Sequence, residues 1–553
     1  MGGANRLVWR AGPAGAVRLL AMVGLALGLI ALSAIAAQAS GDESPTYQID
    51  TSHSGGQPTD GLRAPLGQVW SRDLGGAVSY ALIEGGRAYV TVADTGTNGT
   101  RLFALDLATG AIDWGPIELG GFYNFSGAAY DDGRIFAVNF QGVLTAYDAI
   151  TGAQVWSSQL TGQSSFTTQP AAYQGIVYLS GAGSGGTLYA VSEANGHVLW
   201  TAPVLNGDHS IPAVTADGVY VSYACDQAYD FNPSTGALIW HHASNCEGGG
   251  GRTVALYGGR VYTRDFNSGN LILDTQTGAQ VGTFPFTVPY GSTIPIPAFS
   301  GSMGYFFDSA QLRGIDLGTG TTLWTFAGDG RLSSAPIVVG TFVYIGSTSG
   351  NLYALDSSSG ALVGTINVGS GIAFPDESDA VQLAGLSAGE GYVLAPAGNR
   401  LVALTSAIRL TPSSLTFPSQ PVGTTSQGEM VTVTNFSASA VNVSAISASG
   451  DFSRSTNCPS SLVAGASCTV QVTFSPTAAG PLTGTLSVRV GVYPTPQTVL
   501  LSGIGVNAVL DHITVSPAQA TITAGAGQAP SGQANAAMKA ATRDDIAAAQ
   551  ASG

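Results

Sequence analysis

Few residues in this 553-residue sequence have the types and spacing that chemistry needs. The histidines that could ligate a metal or move a proton are His209, in "NGDHS", and the pair His241 and His242, in "WHHASNC". Neighbours on a regular strand point to opposite faces, so His241 and His242 would not share one ion. All three read as structural or surface residues. The cysteines are Cys225, Cys246, Cys458 and Cys468. None forms a CxxC pair, which disfavours a thiolate zinc site, and an even count in an exported chain points to structural disulfides. Arg252, Arg260, Arg264 and Arg331 could hold an anion, but scattered arginines read as solvated rim residues. Tyr123, Tyr229 and Tyr290 could stack on sugar rings, though tyrosines in strands more often pack. No paired-carboxylate motif marks glycoside hydrolysis. No catalytic, cofactor-binding or metal-binding residue is assigned on this basis.

What would position these residues is a repeat. "LFALDLATGAIDW" at 102–114 returns as "LTAYDAITGAQVW" at 144–156, "LYAVSEANGHVLW" at 188–200, "AYDFNPSTGALIW" at 228–240 and "LRGIDLGTGTTLW" at 312–324. Two copies, from Leu271 and Leu352, lack the tryptophan. The turn glycines Gly110, Gly152, Gly196, Gly236, Gly278, Gly320 and Gly360 are 40 to 44 residues apart. With 76 glycines and a β-type composition, that period predicts propeller blades of four strands each. Asp106, Asp148, Asp274, Asp316 and Asp356 precede the turns, where a carboxylate accepts turn N–H groups and glycine takes positive φ without strain. Trp114, Trp156, Trp200, Trp240 and Trp324 are expected to pack between adjacent blades, where a buried indole contributes about 2 to 3 kcal/mol.

The ends complement each other. "GYVLAPAGNRLVALTS" at 391–406 supplies three strands without a docking motif, and "GQVWSRDLGG" at 67–76 is a lone fourth strand with Trp70. A ring that borrows its last strand from the other terminus has no free edge. An all-β, eight-bladed propeller over residues 64–406 is expected, followed by an immunoglobulin-like β-sandwich over 407–506.

The order A-x-D-x-x-T-G-x-x-x-W, as in "AYDAITGAQVW", resembles the docking repeat of the pyrroloquinoline quinone (PQQ) propeller superfamily. The resemblance implies one of two classes. Quinoprotein alcohol dehydrogenases hold PQQ and Ca²⁺ on the axis beneath a disulfide of adjacent cysteines. Non-enzymatic members, such as the barrel-assembly lipoprotein of the outer membrane, present a binding surface. This chain has no adjacent cysteines and only short blades, so the fold carries over and the catalytic residues do not. "CTVQVTFSPTAAGPLTGTLSV" at 468–488 resembles choice-of-anchor D and abnormal-spindle/hydin-type Ig-like domains. That resemblance implies a Cys458–Cys468 disulfide; Cys225 and Cys246 are also assigned to structural disulfides.

Arg6, Arg10 and Arg18, the apolar run at 19–37 and "AQA" at 37–39 read as a signal peptide over 1–39, with a flexible linker over 40–63. Its cleavage leaves no stable transmembrane span. Residues 507–553 read as a truncated Ig-like start and a disordered tail. A net charge of −15 and a single lysine, Lys539, exclude a nucleic-acid partner that needs clustered cations. The expected role is that of a secreted or cell-surface monomer, non-catalytic, binding an envelope protein or a glycan, with no cofactor. A PQQ- and Ca²⁺-dependent dehydrogenase with an atypical site is the alternative.

Overall fold

The computed structural model describes residues 42–507 apart from 97, 245–249, 265–269, 285–294, 309, 378–380 and 494. The signal segment, the tail, Cys246 and Tyr290 lie outside the described residues. The chain is all-β, and the one helical turn described is the 3₁₀ turn Ala224–Asp226.

One forty-residue period makes one antiparallel meander. Sheet 1 spans residues 82–120, sheet 2 126–159, sheet 3 171–204, sheet 4 213–242, sheet 5 255–283, sheet 6 298–326 and sheet 7 337–367. Sheet 8 joins the strands Ser387–Gly389, Tyr392–Ala397 and Arg400–Ser406 to Leu66–Asp73 from the start of the chain. Trp70 there faces Ala403, so the N-terminal strand completes the last sheet. The first strands of sheets 1 to 4 lie side by side, as do those of sheets 6, 7, 8 and 1; Trp240 of sheet 4 seats on Gly278 of sheet 5, and Tyr257 of sheet 5 stacks on Phe299 of sheet 6, which closes a ring. These strands are buried on both faces, and they read as Ala, Val, Leu and Ile runs such as Ile337–Val339.

Each meander places two kinds of loop on each face. The lower face carries the turns between first and second strands and the Asp-x-x-Thr-Gly turns. The upper face carries the turns between second and third strands and the connections to the next sheet.

Residues 408–506 form two further sheets. Ile408–Thr411, Glu429–Asn435, Ser467–Phe474 and Phe452–Thr456 make one, and the strands Gln497–Val506, Gly480–Val490 and Val441–Ala448 dominate the other. Val431, Val433, Val470, Val472 and Phe474 alternate inward from the first and meet Leu486, Val488 and Val499 from the second. Cys458 and Cys468 are disulfide-bonded, with Cα atoms 4.9 Å apart. The two sheets dock on the ring through Tyr493, whose hydroxyl donates to Pro65 O at 3.4 Å, and Arg409, whose guanidinium lies 4.4 Å over the Tyr392 ring.

The expectation of a flexible linker over 40–63 is corrected. Ser44, Thr46, Tyr47, Gln48, Ile49 and His53 are almost fully buried. The reason is hydrogen bonding: backbone amides near the lower ends of the first strands donate to carbonyls of this segment. Glu390 N bonds Asp42 O, Ile83 N Ser44 O, Tyr130 N Pro45 O, Val214 N Thr51 O and Leu256 N Ser52 O. Phe299 N bonds Ser54 O, and Val338 N and Gly340 N bond Gly55 O and Gln57 O. The segment therefore crosses the lower end of the axis and serves sheets 8, 1, 2, 4, 5, 6 and 7 in turn.

Candidate functional site

The repeat positions the ring's own joints. Asp106 Oδ1 accepts from Thr109 N at 2.8 Å and Thr109 Oγ1 at 2.6 Å, and Gly110 N donates to Asp106 O at 2.8 Å. Asp148, Asp274, Asp316 and Asp356 hold the same bonds to Thr151, Thr277, Thr319 and Ser359. Hydrogen bonds from Thr151, Thr277 and Thr319, and from Ser358 and then Ser359 to Asp356, hold the four carboxyls below the usual carboxylate range. Asn232 replaces the aspartate in sheet 4.

Each docking indole donates to a carbonyl of the next sheet. Trp70 Nε1 bonds Leu107 O at 2.8 Å, Trp114 Ala149 O at 3.0 Å and Trp156 Glu193 O at 2.7 Å. Trp200 bonds Pro233 O at 2.9 Å, Trp240 Thr275 O at 2.9 Å and Trp324 Ser357 O at 3.2 Å. The same rings lie against Gly110, Gly152, Gly196, Gly236, Gly278 and Gly360 of the following turns. Each of these residues joins its sheet to the next.

The axis holds the titratable groups. Arg264 is 2 % exposed, which corrects its reading as a solvated rim residue. Its Nη2 donates to Glu377 Oε2 at 2.7 Å and to Thr253 O at 2.7 Å. Glu377 comes from the connection between sheets 7 and 8, crosses the ring and accepts from Thr253 N at 3.1 Å through Oε1. Arg252 Nη1 donates to Glu377 O at 3.3 Å. Sequence reasoning missed this pair because its members are 113 residues apart. Below them lie Tyr47 and His53 of the N-terminal segment. His53 Nδ1 lies 3.0 Å from Val254 O, and burial pulls its pKa down to about 4. Burial, with the Glu377 charge adding to it, drives the Tyr47 hydroxyl far up. The Arg264–Glu377 ion pair thus lies above two side chains, Tyr47 and His53, whose charged forms burial disfavours.

Other predicted residues stand apart. His209, at φ 59, sits at the upper mouth with Nδ1 3.7 Å from Asp208 Oδ2. His241 Nε2 lies 2.9 Å from Gln227 Oε1, its ring stacked on Tyr229 at 4.0 Å, and His242 Nδ1 lies 3.2 Å from Gly278 O. They serve different partners. Tyr229 is buried, whereas Tyr123 is 52 % exposed. Arg260 pairs with Asp274 at 2.8 Å, and Arg331 is exposed. Cys225 is disulfide-bonded. Among the described residues no group of three His, Cys, Asp or Glu side chains could hold a metal, and no helix is long and apolar enough to cross a membrane.

As folded, the described axial residues do not fit a planar tricyclic quinone with Ca²⁺. The axial carboxylate is committed to Arg264 and Thr253, and Tyr47 and His53 fill the lower end.

Comparison with known proteins places this architecture. The chain is 24% identical to the tetrathionate hydrolase of Acidithiobacillus ferrooxidans over 271 residues, 44% of this chain and 53% of that one. It therefore spans about half the length of that relative. It is 24% identical to the outer membrane protein assembly factor BamB of Yersinia pestis over 318 residues, 54% of this chain and 71% of that one. The quinohemoprotein alcohol dehydrogenase of Comamonas testosteroni superposes with a TM-score of 0.54 at 14% identity, over 67% of this chain and 81% of the other. That likeness shows the fold, a PQQ-like β-propeller. The family model described as outer membrane protein assembly factor BamB matches residues 117–244 and 224–449, more than half of the sequence, and the chain belongs to that family.

Proposed function

We propose that the eight sheets are the blades of an eight-bladed propeller over residues 64–406, with an immunoglobulin-like, choice-of-anchor D-type sandwich over 407–506. The chain is then an exported, non-catalytic scaffold that binds an envelope or cell-surface protein or a glycan. One observation carries this reading: the axis is occupied by the chain itself. Residues 42–57 close the lower end with eight backbone hydrogen bonds from the first strands and their turns, and the Arg264–Glu377 pair closes the middle. A closed axis leaves the faces and outer edges as the places where a partner can bind. The family description, an assembly factor, supports a scaffold role.

The test is a titration of the full chain with PQQ, with and without Ca²⁺, following tryptophan fluorescence and dye-linked alcohol oxidation together. The expected result is no saturable binding and no turnover. Saturable, Ca²⁺-dependent binding with turnover would overturn the scaffold reading and make the chain a quinoprotein dehydrogenase. Similarity to the dehydrogenase subunit of the Gluconobacter oxydans quinone alcohol dehydrogenase, 29% identical over 244 residues, makes that control necessary.

A further inference from the structure

The upper face over sheets 2 and 3 differs from the rest of this acidic chain. Residues 119–130, 139–147 and 159–192 contain no Asp, Glu, Lys, Arg or His. Their loops meet in space. The connection into sheet 2 carries Phe122 and Tyr123, which are 69 % and 52 % exposed and thus among the more solvent-facing aromatics. The Tyr123 ring leans on Phe140 of the neighbouring turn, with centroids 4.5 Å apart and planes at 60°. Phe140 is in turn fixed from beneath, where Phe166 N donates to Phe140 O at 3.0 Å.

Around these rings the polar groups are amides. Asn139 Nδ2 donates to Leu119 O at 2.8 Å and its Oδ1 accepts from Gln141 N, so the turn is rigid. Gln159 Nε2 donates to Gln141 O at 2.8 Å. Beneath the surface of these loops Gln141 Nε2, a donor, and Asn124 Oδ1, an acceptor, are buried without a hydrogen-bond partner. A buried amide left unbonded costs roughly 1 to 3 kcal/mol, so a small side-chain rotation that brings either group to the surface would be favoured by an outside hydroxyl. Gly121, at φ 114, keeps the space in front of Gln141 open.

We propose that this ledge is a binding site for a neutral glycan. An exposed aromatic ring offers a flat apolar face to the C–H face of a sugar, while amides exchange hydrogen bonds with hydroxyls that both donate and accept. Glu118 and the Arg101–Asp94 pair of sheet 1 border the ledge, but the loops that form it carry no charge, which matches a ligand without any. The inference rests on the scaffold reading and names its partner class.

The experiment is affinity electrophoresis of the full chain through native gels containing hydroxyethyl cellulose, glycol chitin or laminarin, with alginate as the charged control. Calorimetry with the matching hexasaccharide then gives the Kd. Retardation by at least one neutral polysaccharide is expected. Phe122→Ala with Tyr123→Ala should raise Kd at least tenfold without lowering the melting temperature, and Tyr123→Phe should bind nearly as the parent does. Lack of retardation in all three neutral gels would overturn the proposal, as would equal retardation of the double variant. Binding of a purified envelope protein that the double variant loses, without any polysaccharide retardation, would also overturn it. None of these outcomes touches the scaffold reading, which fails only on quinone binding with turnover.

Discussion

The indole of Trp114 lies on the backbone of Gly152: a Cβ built there would sit 2.7 Å from the ring, while Nε1 reaches Ala149 O at 3.0 Å. The glycine therefore has two duties. It takes φ 71 in its own turn and offers a flat seat to the previous sheet's tryptophan. Gly320 has only the first duty. It has φ 67 with no atom within 4 Å of the same position, because sheet 5 ends in "AQVG" and brings no indole. Gly152→Ala should cost about 2 to 4 kcal/mol, the left-handed strain plus overpacking. Gly320→Ala should cost only the strain, about 1 kcal/mol. Urea melts of the two variants check the difference, and equal losses would contradict the seating role.

The N-terminal segment should act as a structural member. Deleting residues 42–57 removes the acceptors of eight amides, among them Val214, Leu256, Phe299 and Val338. Most of these amides are buried, and each loss leaves a donor to find water. The truncated chain should melt well below the parent, and those amides should lose hydrogen-exchange protection first. Retained protection at Val214 and Leu256 would show that the segment seals nothing.

The ring was legible because its signal is periodic. Seven copies of one turn fixed the sheet boundaries, and the partial units at 67–76 and 391–406 foretold the closing strand Leu66–Asp73. The axis was not legible. "SPTYQIDTSHSGGQPTD" has the Ser, Gly and Pro content of a linker, yet it is an ordered strap with Gln48, Ile49 and His53 at positive φ. Irregular backbone packed against a ring has no period to detect, and β-branched Ile49 at φ 75 is a conformation that no propensity predicts. Arg264 and Glu377 failed for a related reason, since only the closed ring brings sheet 5 to the connection after sheet 7.

Their buried pair gives a third prediction. Arg264→Met takes from the Glu377 carboxylate the guanidinium 2.7 Å away, and Glu377→Gln takes the carboxylate charge from Arg264, whose side chain is fully buried. Breaking one side of such a pair costs about 3 to 5 kcal/mol, whereas replacing both partners by apolar residues is often nearly neutral. The single variants should each lower the melting temperature strongly, and Arg264→Met with Glu377→Leu should recover most of the loss. Strictly additive losses in the double variant would show that the two side chains are not coupled.

Stability should peak on the acid side of neutrality. Burial first, then neighbouring carboxylates, pushes Glu84 up to about 8, with Glu43 beside it, and Glu193 up to about 8, with Asp131 beside it. Burial likewise raises Asp230 to about 8. A carboxyl raised in the folded state favours folding below its unfolded pKa. That advantage is lost as the unfolded chain ionises and pH climbs toward 8. His53 works in the opposite sense: lowered to about 4 by burial, it contributes above pH 6.5 and loses that contribution as pH falls through 4. Burial also raises Asp50, Asp60 and Glu390 and lowers His209 and His241, so the raised carboxyls outnumber the lowered imidazoles and the melting temperature should fall between pH 5.5 and 8. Glu193→Gln, which keeps the shape and removes the ionisation, should flatten the fall. A melting temperature that rises from pH 5.5 to 8 would contradict the buried, proton-sharing state of Glu84 and Glu193.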